Sequence, residues 1–424
     1  MNAGRHDYNS DYIPQVPHRQ AKAQIYAKAH ASGPVLANSA LLPTVPSPTL
    51  RSRGRTPNVG QTHRPMKAQH QSLSPSLESI NPCTGTSWFR TLALCLVATA
   101  CASVVAPAPS PPDRPGSRAA TPLPSTDDRK TQRVVRAALE QSDQPVAAAV
   151  LSVNDRRPMA LEGHLGADPA MLAARPGSTV KPILAWLAAE AGELTSYQTR
   201  ACDATFDDGF RCFAAHGTLT LPEAIAVSCN VYAFELARRM GFERIATGFA
   251  QFGFGRRTGF VANEAAGFLA DPKWAMSRVS SSNERWDLLV GTGHGPIEVT
   301  PLQLTRAYAE LIGRLTAPSP LVSDRLRWEI TDGLRRVIED DQGTAHAAAV
   351  KGLKIGGKTG TAESGAYGDA GNTNNSWFVG FAPLKAPQVI VAVLVLGGGS
   401  RATPAAPIAG RILGGLAKKS IILR

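Results

Sequence analysis

Segments with strand character occur at two widely separated places in this chain, residues 145–153 and then 354–363, 376–382 and 388–396, and the stretch between them is patterned for helices. Strands at both ends with helices between predict an α+β domain: an end-to-end antiparallel sheet flanked by helices, with a helical insert. The helical readings are 127–141, with Val134, Val135, Ala138 and Leu139 at helical spacing, then a segment through Ile183 and Leu187, then 219–227, and 231–240 ended by Gly241. Another opens at Thr300-Pro301-Leu302-Gln303 and runs through Leu311, followed by 325–339 and 408–419. No internal repeat is evident.

The first part of the chain does not share this patterning. Residues 1–86 are rich in Pro, Ser, His, Gln, Arg and Lys and carry no helical or strand period, which predicts a disordered basic segment, or an early start codon with Met66 as the true one. Residues 1–90 hold ten Lys or Arg against three Asp or Glu, a surplus of seven out of the net +12. The remaining five are ordinary for a soluble domain, so the charge argues against a nucleic-acid partner. Residues 91–106 form an apolar run without charge, preceded by Arg90 and followed by Pro107, Pro109, Pro111 and Pro112. With the flanking Ser87-Trp88-Phe89-Arg90, residues 87–106 suit a signal or membrane-anchor segment. Ala98-Thr99-Ala100-Cys101 is also similar to a lipoprotein cleavage box. The expectation is export, with 107–126 an extended Pro-rich spacer and the folded domain at 127–424.

In Arg175-Pro176-Gly177-Ser178-Thr179-Val180-Lys181-Pro182, a serine stands three positions before a lysine at the start of an apolar helix. Residues three apart share a helix face, so Lys181 can reach back to the Ser178 hydroxyl as its base. Pro182 is tolerated in a first turn. Ser178 would then sit at the positive helix end, with its own N–H available to a developing oxyanion. Lys181 is the only lysine with a serine three residues before it. A capping serine followed by a solvated lysine gives the same pattern, and this stretch alone leaves both readings open.

Lys358-Thr359-Gly360-Thr361 lies on the first of the late strands. Glycine weakens a strand interior, and a close approach by another backbone is a reason to find it there, such as a peptide substrate added along the strand. Lys358 and the Thr359 and Thr361 hydroxyls would meet a substrate carboxylate, with the Thr361 N–H a second oxyanion donor, although this stretch alone reads equally as an ordinary exposed strand that contains a glycine. Ser228-Cys229-Asn230 falls between two helices, where a loop can present a hydroxyl and an amide to a cleft. Ser152-Val153-Asn154 and Ser281-Ser282-Asn283 share the spacing but not the context, and helix capping by Ser228 or Asn230 fits the position as well.

Ser-x-x-Lys, Ser-x-Asn and Lys-Thr-Gly in this order are the motif set of penicillin-binding proteins and serine β-lactamases. Over about residues 145–419 the chain resembles the transpeptidase domain of penicillin-binding proteins. Thr300-Pro301-Leu302-Gln303, Gly360-Thr361-Ala362-Glu363 and Trp377-Phe378-Val379-Gly380-Phe381-Ala382-Pro383 carry the likeness further. The resemblance implies a β-lactamase-like sheet flanked by helices, an all-helical subdomain, and a site at their junction. It implies an acyl-enzyme on Ser178 with D-Ala-D-Ala stem peptides of peptidoglycan. Lys181, its pKa lowered by burial and by Lys358, would be the base, Ser228 would relay a proton to the leaving group, and Asn230 would hold the peptide. Thr359, Gly360 and Thr361 would bind substrate, and β-lactams would acylate Ser178. The expected location is periplasmic, anchored to the inner membrane or as a lipoprotein, with cell-wall synthesis partners supplying glycosyltransferase activity. DD-carboxypeptidase, β-lactamase and a non-enzymatic β-lactam sensor or scaffold are the competing readings.

Of six cysteines, Cys83, Cys95 and Cys101 lie in or before the apolar run, leaving Cys202, Cys212 and Cys229 in the domain. An odd number leaves one unexplained by a disulfide. With His216 they form a Cys₃His set, the composition of a closed structural zinc site, and the resemblance adds that some elongation-type members hold zinc through the residue between the motif Ser and Asn, here Cys229. A Cys202–Cys212 disulfide with Cys229 buried is the alternative. His294 is read as a loop residue near the cleft rather than a ligand. No cofactor is required for the chemistry.

Overall fold

The computed structural model describes residues 126–277, 285–363, 374–398 and 404–423. The basic segment, the apolar run, all but the last residue of the Pro-rich spacer, and Ser281 to Asn283 lie outside the described residues. No helix among the described residues is long and apolar enough to cross a membrane.

Helix α1 (Thr126–Leu139) leads into the hairpin β1 (Val146–Ser152) and β2 (Pro158–His164). A turn at Gly177–Val180 opens α2 (Lys181–Glu190). The ribbon β3 (Thr199–Cys202) and β4 (Gly217–Thr220) precedes α3 (Leu221–Ala226) and α4 (Asn230–Gln251). Then come β5 (Phe268–Leu269), α5 (Pro272–Met276), α6 (Trp286–Gly291), β6 (Ile297–Glu298), α7 (Pro301–Thr316) and α8 (Asp324–Glu339). Strands β7 (Gly356–Glu363), β8 (Asn374–Ala382) and β9 (Val389–Val395) and helix α9 (Ala405–Lys418) close the domain.

The sheet runs β2-β1-β9-β8-β7, antiparallel throughout. The N-terminal hairpin and the three late strands thus join through β1 and β9, paired from Val146↔Val395 to Ser152↔Val389. Every residue of β1 and β9 is buried, which requires cover on both faces and explains why these strands read as continuous apolar runs. Helices α1 and α9 pack on each other and on the sheet, and α7 packs across β1 and β9. Between β2 and β7 lies the helical region of α2, α3, α4, α6 and α8, which also carries the ribbons β3–β4 and β5–β6, so it is not wholly helical.

Local chemistry sets the boundaries that differ from expectation. Leu219 and Thr220 belong to β4 rather than to a helix beginning at 219. The Glu223 carboxylate accepts from the Thr220 N–H at 2.8 Å and Pro222 occupies the first turn, so α3 starts at Leu221. Gly241 (φ 70°) does end the first part of α4, but helix resumes immediately to Gln251. Thr300 and Gln303 cap α7 reciprocally, at 2.9 and 3.1 Å.

Candidate active site

The Gly177–Val180 turn rests directly on β7. A Cβ on Gly177 (φ 53°) would lie 2.5 Å from the Thr361 carbonyl, and one on Gly360 would lie 2.5 Å from the Pro176 carbonyl. Two glycines are therefore needed for turn and strand to touch. The backbone that Gly360 admits is the chain's own Pro176, where the sequence had suggested a substrate strand. The outer edge of β7 still ends the sheet order and can accept an added strand. The turn is braced further by Tyr308, whose hydroxyl donates to Thr179 O at 2.8 Å. Trp377 Nε1 donates to Arg175 O at 2.8 Å.

Lys181 follows Ser178 by one turn and is 6% exposed. Its Nζ donates to Ser228 O at 2.8 Å and to Asn230 Oδ1 at 2.6 Å, tying the first motif to the second. Burial lowers its pKa from 10.5 to about 8, against the opposing pull of Cys229 and Cys212. Among the described residues no hydrogen bond joins Lys181 to the Ser178 hydroxyl, where the spacing had predicted one. A carbonyl and an amide oxygen are better acceptors for a charged amine, and catalytic contacts commonly tighten only with substrate present.

Ser228 is buried between α3 and α4 with φ 58°, a left-handed conformation uncommon for a residue with a side chain. Asn230 opens α4. Its Nδ2 donates to Arg211 O at 3.0 Å and its backbone N–H donates to Cys212 Sγ at 3.2 Å, which fixes the amide with its oxygen toward Lys181.

Lys358 is wholly buried on β7, with Nζ donating to Thr359 O at 3.1 Å. Burial first and Lys181 second hold its pKa well below 10.5. Burial is the leading cause for both amines, and the repulsion between Lys181 and Lys358 disfavours charge on the pair as a whole. Thr359 is 5% exposed and its hydroxyl shares a 2.7 Å hydrogen bond with Thr344. His294 is half-buried on the loop that receives the Gly177 N–H at Gly293 O. Burial, then Lys181 and Arg175, lower its pKa to about 4, so it is neutral at pH 7.

The ligating atoms of Cys202, Cys212, His216 and Cys229 all lie within 4.8 Å of one another, and the three cysteines are free thiols. His216 Nδ1 is 3.5 Å from Cys202 Sγ and 3.6 Å from Cys212 Sγ. A tetrahedral zinc with Zn–S of about 2.3 Å needs ligand separations of about 3.8 Å, so these four residues fit the metal in number, chemistry and spread. The ligands come from the end of β3, the loop after it, the residue before β4, and the N-cap of α4.

The sequence reading thus brings its three motifs and its four cluster residues to one junction. It missed Thr344, the Arg211 carbonyl and Tyr308, which carry no local pattern that marks them.

The transpeptidase domain of Burkholderia pseudomallei penicillin-binding protein 3 superposes with a TM-score of 0.60 at 25% identity, covering 70% of this chain and 95% of that one. Pseudomonas aeruginosa PBP2 shares the fold, with a TM-score of 0.59 at 23% identity, covering 68% of this chain and 74% of that one. The peptidoglycan D,D-transpeptidase MrdA of Haemophilus influenzae is 27% identical over 306 residues, covering 61% of this chain and 45% of that protein. MrdA of Acinetobacter baumannii is 29% identical over 278 residues, covering 55% and 41%. The chain spans less than half the length of these two curated relatives. Residues 128–414 match the penicillin binding protein transpeptidase domain, and the chain belongs to that family.

Proposed function

We propose that this protein is a serine DD-transpeptidase that cross-links peptidoglycan stem peptides and is acylated by β-lactams. The observation that carries the reading is the bridge from buried Lys181 to Ser228 O and Asn230 Oδ1, beside a serine turn seated on the Lys358 strand. The neutral Lys181 amine takes the Ser178 proton as Oγ attacks the carbonyl carbon of the D-Ala-D-Ala amide. The Ser178 and Thr361 N–H groups receive the oxyanion. The C–N bond then breaks, Ser228 passes the proton to the departing D-Ala nitrogen, and an ester remains on Ser178. The amine of a second stem peptide attacks this ester, forms the cross-linking amide, and returns a proton to Ser178. Lys358 and the Thr359 hydroxyl hold the terminal carboxylate. Zinc, when bound by Cys202, Cys212, His216 and Cys229, supplies a closed structural node. What the chain contributes there is positional: Cys212 Sγ receives the Asn230 N–H, and Arg211 O, one residue before, receives its amide.

We place this chemistry outside the cytoplasm, held at the inner membrane by the apolar run, with partner proteins polymerising the glycan. A fluorescent penicillin that does not cross the inner membrane should label the full chain in intact spheroplasts, and the Ser178→Ala variant should stay dark. Labelling only after lysis contradicts the location, and a folded wild type that never labels contradicts the activity. With a D-Ala-D-Ala donor and an amine acceptor the purified protein should yield the cross-linked peptide; hydrolysis alone would make it a carboxypeptidase.

A further inference from the structure

We propose that Thr344 is a positioning residue for substrate-carboxylate recognition, acting through Thr359; this rests on the acyltransferase reading above. The two hydroxyl oxygens are 2.7 Å apart, and either could donate. The substrate decides the order. A carboxylate only accepts, so Thr359 must spend its single O–H on it, and the contact to Thr344 then requires Thr344 to donate into a Thr359 lone pair. Thr344 thereby selects the Thr359 rotamer that aims its proton at the carboxylate, and polarises that O–H as the first link of a two-hydroxyl chain.

The segment that carries Thr344 is built to hold it still. Gly343 donates its N–H to Asp340 O at 2.7 Å, and Ala345 donates to Val337 O at 2.9 Å. A Cβ on Gly343 would lie 2.5 Å from Arg336 O and 2.6 Å from Val337 O, so the turn is pressed against the last turn of α8. Helix α8 itself packs on β7, the strand that bears Thr359. The side chain is half-buried.

The test compares two D-alanyl thioesters, one whose leaving group ends in a carboxylate and the methyl ester of the same compound, with acyl-enzyme formation as the readout. For Thr344→Val, kcat/KM toward the carboxylate compound should fall about 5- to 10-fold through KM, the scale of one hydrogen bond between neutral groups. The ester should change less than twofold. Thr344→Ser should restore the wild-type value within twofold, Thr344→Ala should match Thr344→Val without adding volume, and Thr344→Val should have no effect in a Thr359→Val background. Equal losses for both thioesters, a Ser variant as impaired as Val, or no loss at all overturns the assignment. A wild type acylated by neither thioester overturns the acyltransferase reading and this inference with it. A wild type acylated at Ser178 but indifferent to Thr344→Val overturns this inference alone.

Discussion

Replacing Lys181 with methionine is expected to slow acylation of Ser178 by about 10²- to 10⁴-fold, the range for removing a general base. The substitution preserves length and apolar bulk at a site only 6% exposed, so the loss belongs to the amine rather than to a cavity. The wild-type pH profile supplies the second half of the test. Lys181 serves as base only when neutral, and its pKa is lowered from 10.5 to about 8, so the acylation rate should climb as pH rises through about 8 and fall as pH drops below it. The same shift makes the unfolded chain bind more protons between about 8 and 10.5, so this group's contribution to stability rises with pH across that window. The variant should lose the pH step near 8. A variant that keeps both its rate and this step would remove Lys181 from the mechanism.

The second large effect concerns a cluster outside the three motifs. Protein purified without chelator should carry about one zinc per chain, and Cys202→Ser and His216→Ala should lose the metal and slow Ser178 acylation together, by about 10- to 100-fold. The route is geometric: Cys212 receives the Asn230 N–H, Arg211 O receives its amide, and Asn230 in turn holds Lys181. Metal content by plasma mass spectrometry, thiol titration under denaturing conditions and acylation rate are read on the same samples. A metal-free protein with Cys202 and Cys212 oxidised, and a nearly silent His216→Ala, would establish the disulfide and end the zinc assignment.

Legibility in the sequence followed the range of the interaction. Ser178 and Lys181 are one helical turn apart, and the residues of each motif neighbour one another, so short patterns exposed them. The fully buried strands β1 and β9 could be read because a continuous apolar run has few other homes. Strand β2, Pro-Met-Ala-Leu-Glu-Gly-His, went unread because it is a sheet edge, mostly only partly buried, with too little alternation to register. The ribbon β3–β4 has four residues a side, too short for a strand period to register. Thr344 was invisible for a different reason. Its partner is fifteen residues away, and only the packing of α8 on β7 makes them neighbours.

The central claim is that Ser178 is the nucleophile, and intact-mass spectrometry of the folded protein after penicillin treatment tests it most directly. A single adduct is expected, mapped by digestion to the peptide containing Ser178 and absent from Ser178→Ala. An adduct on any other residue, or none on protein shown to be folded, would contradict the account.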